Sequence, residues 1–278
     1  MKLITRFAPS PTGPLHLGHA YSAIISHDMA RSAGGKFYLR IEDLDRSRSK
    51  KKWENQIFDD LDWLGLSWDG PVIRQSEQLE SYKNILIKFK KELRLFECKC
   101  TRKDIKNAVS APHESEKLLG PDGIIYPGTC RKNMFSSKVN FDKALRMNID
   151  SSKDKSFCFS ELGSRKGNIS FSSEEFSKTV GDVVLWRGGY PAYHLACVVD
   201  DSAQKITHVV RGLDLFDATK IHTVLNSYLG FKKPLYHHHR LICDENGKRL
   251  AKRHDSKSIQ KYRKEGLKAS EVRTLLGL

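Results

Sequence analysis

No stretch of the 278-residue sequence approaches the roughly 18 consecutive apolar residues of a membrane-spanning helix, and its first residues, MKLITRFAPSP, lack the apolar core of an export signal. No membrane association is expected, and a cytoplasmic address is. Cysteine is scarce: there are six, and without an export signal they are not expected to pair as disulfides. Internal repeats and low-complexity tracts are absent, so neither a repeat array nor a biased tail organises the chain. Acidic residues are in deficit, 33 Asp+Glu against 48 Lys+Arg, for a formal charge of +15.

What is present belongs to a globular protein. At 39% hydrophobic and 29% charged residues the chain can bury a core, and its length suits one large domain or one domain with a sizeable insertion. Residues 205–278 hold 16 Lys+Arg against 7 Asp+Glu, so most of the positive excess lies there. Such a surface attracts polyanions and releases their counterions on binding. That favours a nucleic-acid partner over a merely well-solvated basic surface.

Residues 2–8 alternate as a short strand, a proline-rich turn follows, and a helix is expected from His16 to Ala33, closed by Gly34-Gly35. KFYLRIEDLD then reads as a strand ending at Glu42. Strand, loop, helix, strand is a βαβ unit, which implies a parallel sheet. Helical patterns cover Trp53–Leu64 and Gln78–Leu95. From FECKCTRKDI at Phe96 to Lys178 the texture becomes short strands and polar runs, read as an insertion. Apolar alternation in DVVLWRGGYPAYHLACVVDD and KITHVVRG suggests strands of the resumed sheet, and short helices finish the chain.

The stretch FAPSPTGPLHLGHAYSAI places His16, Gly18 and His19 where the first helix should begin. A helix N-terminus at the carboxyl end of a parallel strand suits a phosphate. Gly18 would let a base or ribose lie against the backbone. His16 and His19, three apart, share one side of a turn and can donate to a phosphate whose charge grows in a transition state. Two surface histidines beside a helix cap are the alternative, because so short a motif is weak by itself.

The wider pattern is more specific. RFAPSPTGPLHLGHAYSAI resembles the HIGH signature of class I aminoacyl-tRNA synthetases, and RFAPSPTG resembles the glutamyl/glutaminyl branch. IEDLDRSR, YHLACVVDD and VVRGLDL extend the resemblance over most of the chain. It implies an α/β fold: a Rossmann-type parallel-sheet catalytic domain, an inserted α+β zinc-containing subdomain and a short helical C-terminal segment. The corresponding boundaries are 1–95 and 179–240 for the two halves of the catalytic domain, 96–178 for the insertion, and 241–278 for a KMSKS-like loop and terminal helices.

The activity implied is activation of L-glutamate by ATP and its transfer to RNA. Glutamate's two carboxylates and ammonium need partners of both signs. Arg6 and Arg211 can each hold a carboxylate through two parallel hydrogen bonds, Glu42 can answer the ammonium, and Tyr193 adds a hydroxyl and an aromatic wall. By resemblance these residues, with Phe7, Ala8, Pro9 and Ser10, form the amino-acid pocket, while His16, Gly18 and His19 meet ATP. GKRLAKRHD looks like the KMSKS element, with Lys252 at the leaving pyrophosphate; Ala251 stands where the family has serine and Arg249 where it has lysine. Magnesium is expected to arrive with ATP.

Cys98-x-Cys100 and Tyr126-x-x-x-Cys130 supply three sulfurs and a phenol, similar to the structural zinc site of glutamyl-type synthetases; ordinary buried thiols are the alternative. Cys158, Cys197 and Cys243 are expected in the core. One of His237, His238 and His239 can approach the nucleotide. With 26 residues after Lys252, no anticodon-reading domain is expected. The resemblance then narrows to the shortened glutamyl-type paralogues, which attach glutamate to queuosine in the anticodon stem-loop of tRNA(Asp) and activate it without tRNA. A monomer is expected. Two alternatives stay open: a truncated enzyme charging tRNA(Glu), and a non-catalytic RNA-binding paralogue.

Overall fold

The computed structural model describes residues 2–109, 119–132, 138–149, 155–243 and 257–278. Strand β1 (Ile4–Phe7), helix α1 (Leu17–Ser32) and strand β2 (Lys36–Ile41) form the expected βαβ unit, with β1 parallel to β2 and Arg6 opposite Tyr38. Helix α1 starts where His16 takes an extended conformation; the His16 ring accepts the Gly18 N–H, and the His19 ring accepts the His16 N–H. This is a capping box made of imidazoles in place of the usual hydroxyl and carboxylate. After α1 the chain passes so close to β1 that a Cβ on Gly35 would lie 2.0 Å from the Leu3 carbonyl oxygen, which leaves room only for glycine.

Helix α2 (Lys51–Trp63) and the short strand β3 (Ile73–Arg74), parallel to β2, follow. Helix α3 (Leu79–Lys88) is shorter than its sequence pattern. Arg94 adopts a left-handed φ of 45°, and Leu95 enters strand β4 (Leu95–Cys98) opposite Met147. Helix α4 (Arg102–Val109) and the hairpin β5 (Leu119–Gly120) and β6 (Gly123–Ile124) come next. They precede β7 (Ala144–Met147), β8 (Ser156–Glu161), β9 (Gly167–Ser172) and α5 (Ser173–Thr179). The chain continues through β10 (Val183–Arg187), β11 (Tyr190–Pro191), α6 (Tyr193–Ala203), β12 (His208–Gly212), α7 (Thr219–Tyr228) and β13 (Leu235–His239). Helices α8 (Ile259–Lys264) and α9 (Ala269–Leu275) end it.

Strands β3-β2-β1 form one parallel sheet, and β12-β13-β8-β9 another that is parallel except for β9. They are joined at Thr207, whose N–H donates to the Ile4 carbonyl (3.0 Å) while its hydroxyl accepts the Ile4 N–H (2.7 Å). The starts of β1 and β12 therefore lie together, and so do the carboxyl ends that carry Arg6 and Arg211.

The pairing differs from the sequence reading in two places. Strands β10 and β11 join an antiparallel sheet with β7 and β4, and Tyr193–Ala203 is a helix rather than a strand. Helix α6 is buried on nearly every side, with Leu195, Ala196, Val198 and Val199 all in the core, so it has no polar face to reveal its 3.6-residue period. Cys197 is buried as expected, but Cys158 and Cys243 are exposed. Along β8 it is Phe157 and Phe159 that face inward, which turns Cys158 to solvent.

Two large apolar clusters and a small one around Phe96, Cys98 and Tyr126 fill the interior of the described residues. One large cluster joins α1, β1, β2 and α2 to Ile259, Val272 and Leu276 of the terminal helices; the other surrounds α6 and α7. No helix among the described residues is long and apolar enough to cross a membrane. Asp60 lies one residue from Leu61 on the buried face of α2, 2% exposed, with its Oδ2 atom lacking a hydrogen-bond partner. Burial, and then Asp59 beside it, push its carboxyl up to about 7. In the unfolded chain this group ionises near 3.8, so above that pH the folded state carries a growing cost that is complete above about 7. Asp60→Asn should accordingly raise the melting temperature at pH 8 by at least about 2–4 °C and have little effect at pH 4. Equal shifts at both pH values would show that ionisation of Asp60 does not matter.

Candidate active site

At the carboxyl ends of β1, β2 and β12 a cavity of about 480 Å³ opens. Arg6, Phe7, Ala8, Pro9, Ser10, His16, Gly18, His19, Glu42, Tyr193 and Arg211 all line it, although they come from five separate segments. Thr12, Ser22 and Asp214 also line it and were not singled out from the sequence; of the histidine triplet 237–239, His239 lines it. Strand parity offers a signal for His239: successive residues of β13 face opposite ways, so His239 can reach the cavity while His238 stands behind it. Asp214 has its own mark, because a Cβ on Gly212 would fall 2.4 Å from Asp214 Oδ1.

The imidazole cap has a chemical consequence. Each ring uses Nδ1 to accept a backbone N–H, His16 from Gly18 at 3.1 Å and His19 from His16 at 3.2 Å. A neutral ring accepting at Nδ1 carries its proton on Nε2. The cap thus fixes both tautomers and makes Nε2–H the donor of each ring. Gly18 is needed for the same reason: a Cβ there would press on the His16 ring at 3.0 Å.

The opposite wall is a web of buried charge. Asp201 accepts from Arg6 Nε at 2.9 Å and from Arg40 Nη1 at 2.7 Å, and Arg40 Nη2 reaches Glu42 Oε1 at 3.3 Å. Burial alone would raise the Asp201 carboxyl, but the two guanidiniums hold it down to about 2. Glu42 moves the other way: burial raises it despite Arg40 and Arg6. The Asp201 contacts occupy one edge of Arg6, through Nε and through Nη2 at 3.3 Å, and do not involve Nη1. Burial likewise raises the Tyr193 phenol, so its hydroxyl remains a donor. A small molecule with carboxylates and an ammonium meets complementary charge here, beside the helix end suited to phosphate.

Outside this cavity, the Cys98, Cys100 and Cys130 sulfurs lie within 4.8 Å of one another. The Tyr126 hydroxyl is 3.5 Å from Cys98 Sγ and 3.4 Å from Cys100 Sγ, and it accepts the Cys130 N–H at 2.9 Å. Ligands about 2.3 Å from a tetrahedral zinc stand roughly 3.8 Å apart, so three thiols and a phenol at these separations fit such an ion. Arg146 lies over the Tyr126 ring at 4.1 Å. Lys252 falls outside the described residues. The chain just after it is placed: His16 and Ser258 form an antiparallel bridge, and the Ile259 N–H donates to the Leu15 carbonyl at 2.9 Å.

Residues 2–278 match the family model for the catalytic domain of class I tRNA synthetases (E and Q). The chain belongs to this family. As a class I synthetase of the E and Q type it uses ATP, glutamate and tRNA. It is 50% identical to the glutamyl-Q tRNA(Asp) synthetase of Rhodobacter capsulatus, over 99% of this chain and 100% of that one. Identity to the protein of the same name from Prochlorococcus marinus is 38%, over 96% of this chain and 78% of that one. The glutamate–tRNA ligase of Aquifex aeolicus is 37% identical over 95% of this chain, which spans 54% of the ligase. Among solved structures, a glutamate tRNA ligase from Elizabethkingia meningosepticum in complex with its amino acid superposes with a TM-score of 0.74 at 27% identity. That match covers 96% of this synthetase and 54% of the ligase.

Proposed function

We propose that the chain activates L-glutamate with ATP and transfers the glutamyl group to queuosine in the anticodon of tRNA(Asp). The observation that carries this reading is the 50% identity, end to end, with the Rhodobacter capsulatus glutamyl-Q tRNA(Asp) synthetase. The matches to glutamate–tRNA ligases are weaker and span about half of those proteins.

In this reading Arg6, through Nη1, and Arg211 hold the two carboxylates of glutamate, Glu42 takes the ammonium, and Tyr193 and Phe7–Ser10 close the pocket. A carboxylate oxygen attacks the α-phosphorus of ATP, pyrophosphate leaves, and glutamyl-adenylate results. A hydroxyl of the accepting nucleoside then attacks the glutamyl carbonyl and AMP leaves. No protein nucleophile takes part; alignment and charge stabilisation lower the barrier. The Nε2–H donors of His16 and His19 face the phosphates, and Lys252 is assigned to the pyrophosphate side. Magnesium bound with ATP neutralises phosphate charge.

Zinc on Cys98, Cys100, Tyr126 and Cys130 is structural: it staples residues 96–178, taken as an inserted subdomain between the catalytic segments 1–95 and 179–240, with 241–278 as the terminal part. The basic C-terminal surface meets the anticodon stem-loop phosphates. The protein acts as a cytoplasmic monomer.

Labelled glutamate should be transferred to queuosine-containing tRNA(Asp) and not to queuosine-free tRNA(Asp), with the label mapping to the anticodon. Acylation of the 3′ end of tRNA(Glu) would overturn this choice of acceptor, and failure of glutamate-dependent pyrophosphate–ATP exchange would overturn the enzyme reading. Elemental analysis of the purified protein should find about one zinc per chain, lost in Cys130→Ser together with several degrees of melting temperature. A wild-type protein free of zinc and equally stable would refute the metal.

A further inference from the structure

Arg211 is buried at the end of β12, and among the described residues no carboxylate lies within ion-pair distance of it. All three of its nitrogens nevertheless have partners. Nε donates to His238 Nε2 at 3.2 Å, Nη1 donates to His222 Nδ1 at 3.2 Å, and Nη2 donates to Thr219 Oγ1 at 2.7 Å. A guanidinium can only donate, so each ring nitrogen facing it offers a lone pair, and each ring is neutral. The proton of each ring must then sit on its far nitrogen.

On His238 that nitrogen is Nδ1, bonded to Glu161 Oε2, while the other oxygen of Glu161 accepts the His238 backbone N–H at 2.9 Å. On His222 it is Nε2, 3.1 Å from Nδ1 of His194. His194 in turn carries its proton on Nε2, which faces Asp122 Oδ1 at 3.7 Å. Two relays thus leave Arg211: one ends on the Glu161 carboxylate through a single ring, and the other runs through two rings to a nitrogen that stands 3.7 Å from the Asp122 carboxylate, beyond hydrogen-bond length. Burial first, and the charge of Arg211 second, hold His222 well below its ordinary value and His238 down to about 4.

We propose that His222 and His238 are positioning residues for the amino acid: as neutral acceptors they orient the Arg211 guanidinium while leaving its charge uncancelled for a substrate carboxylate. The inference rests on the reading of Arg211 as a carboxylate-binding residue. Arg6 shows the contrast, since Asp201 contacts it directly and neutralises part of its charge. The rings also wall Tyr193, whose centroid is 5.1 Å from that of His194 and 5.8 Å from that of His222. Both terminal carboxylates come from the segment between α3 and α6, Asp122 from the β5–β6 turn and Glu161 from the end of β8. That segment therefore takes part in setting the amino-acid pocket.

Glutamate-dependent pyrophosphate–ATP exchange by the full chain tests the proposal. His222→Leu should raise the KM for glutamate roughly tenfold, with kcat and the KM for ATP near wild type. His222→Gln, whose carbonyl can accept from Arg211 and whose amide can donate to His194, should stay within about threefold of wild type. His238→Gln should behave in the same way. His222→Phe fills the space of the ring and replaces the leucine variant if that one does not fold. A wild-type glutamate KM in His222→Leu or His222→Phe, or a Gln variant no better than either, overturns the relay. Arg211→Ala separates the two levels. If it leaves the glutamate KM unchanged, the reading of Arg211 itself fails; if it raises KM while the apolar His222 variants do not, only the relay fails.

Discussion

Asp201 is shared by two buried guanidiniums, and the rest of the site depends on that sharing. Arg6 comes from β1, Arg40 from β2 and Asp201 from α6, so a single carboxylate fixes the relative position of three elements. Its neighbour Asp200 accepts from the Tyr82 hydroxyl at 2.9 Å and from the Gln75 amide at 2.8 Å, which brings α3 and the turn before it into the same web. Taking charges out of water costs several kcal/mol per ion unless geometry and additional hydrogen bonds compensate. An apolar core at this place would be easier to build. It would also remove the Arg6 charge from the cavity wall.

The same constraint explains how the cavity distributes its charges. Arg6 is held on one edge by a carboxylate and lines the cavity. Among the described residues Arg211 is held by neutral acceptors, and Glu42 is lifted by burial although Arg40 is beside it. Facing this wall, two imidazoles cap α1 and have their tautomers set by the backbone. In the proposed reading one wall takes the small acidic molecule and the other presents N–H groups to phosphate, so that the reacting atoms meet between them. The cysteine-rich centre lies outside the cavity.

Much of this was legible in the sequence because the site is built from short contiguous signatures. His16 to Ala33 reads as a helix with its cap, and the structure places α1 at Leu17–Ser32 between those two residues. Arg6, Glu42, Tyr193 and Arg211 each end a strand or begin a helix at the same edge, where sequence patterns and family signatures coincide. What was not legible depended on partners distant in sequence. Tyr193–Ala203 looked like a strand because its burial removes the polar face, and α3 looked longer because nothing local marks Arg94 as the turn. The histidines illustrate the limit best. The HHH triplet is visible, but that His238 meets Arg211 and Glu161, 27 and 77 residues away, is a property of the sheet register alone.

The most direct test of the account is calorimetric titration of L-glutamate into Asp201→Asn beside the wild type. Asparagine keeps the volume and one acceptor but leaves two buried guanidiniums without their shared counter-charge. The account predicts a folded but less stable protein, by about 3–5 kcal/mol, whose glutamate affinity falls at least about tenfold while ATP binding is little changed. Wild-type glutamate affinity in the folded variant would contradict it.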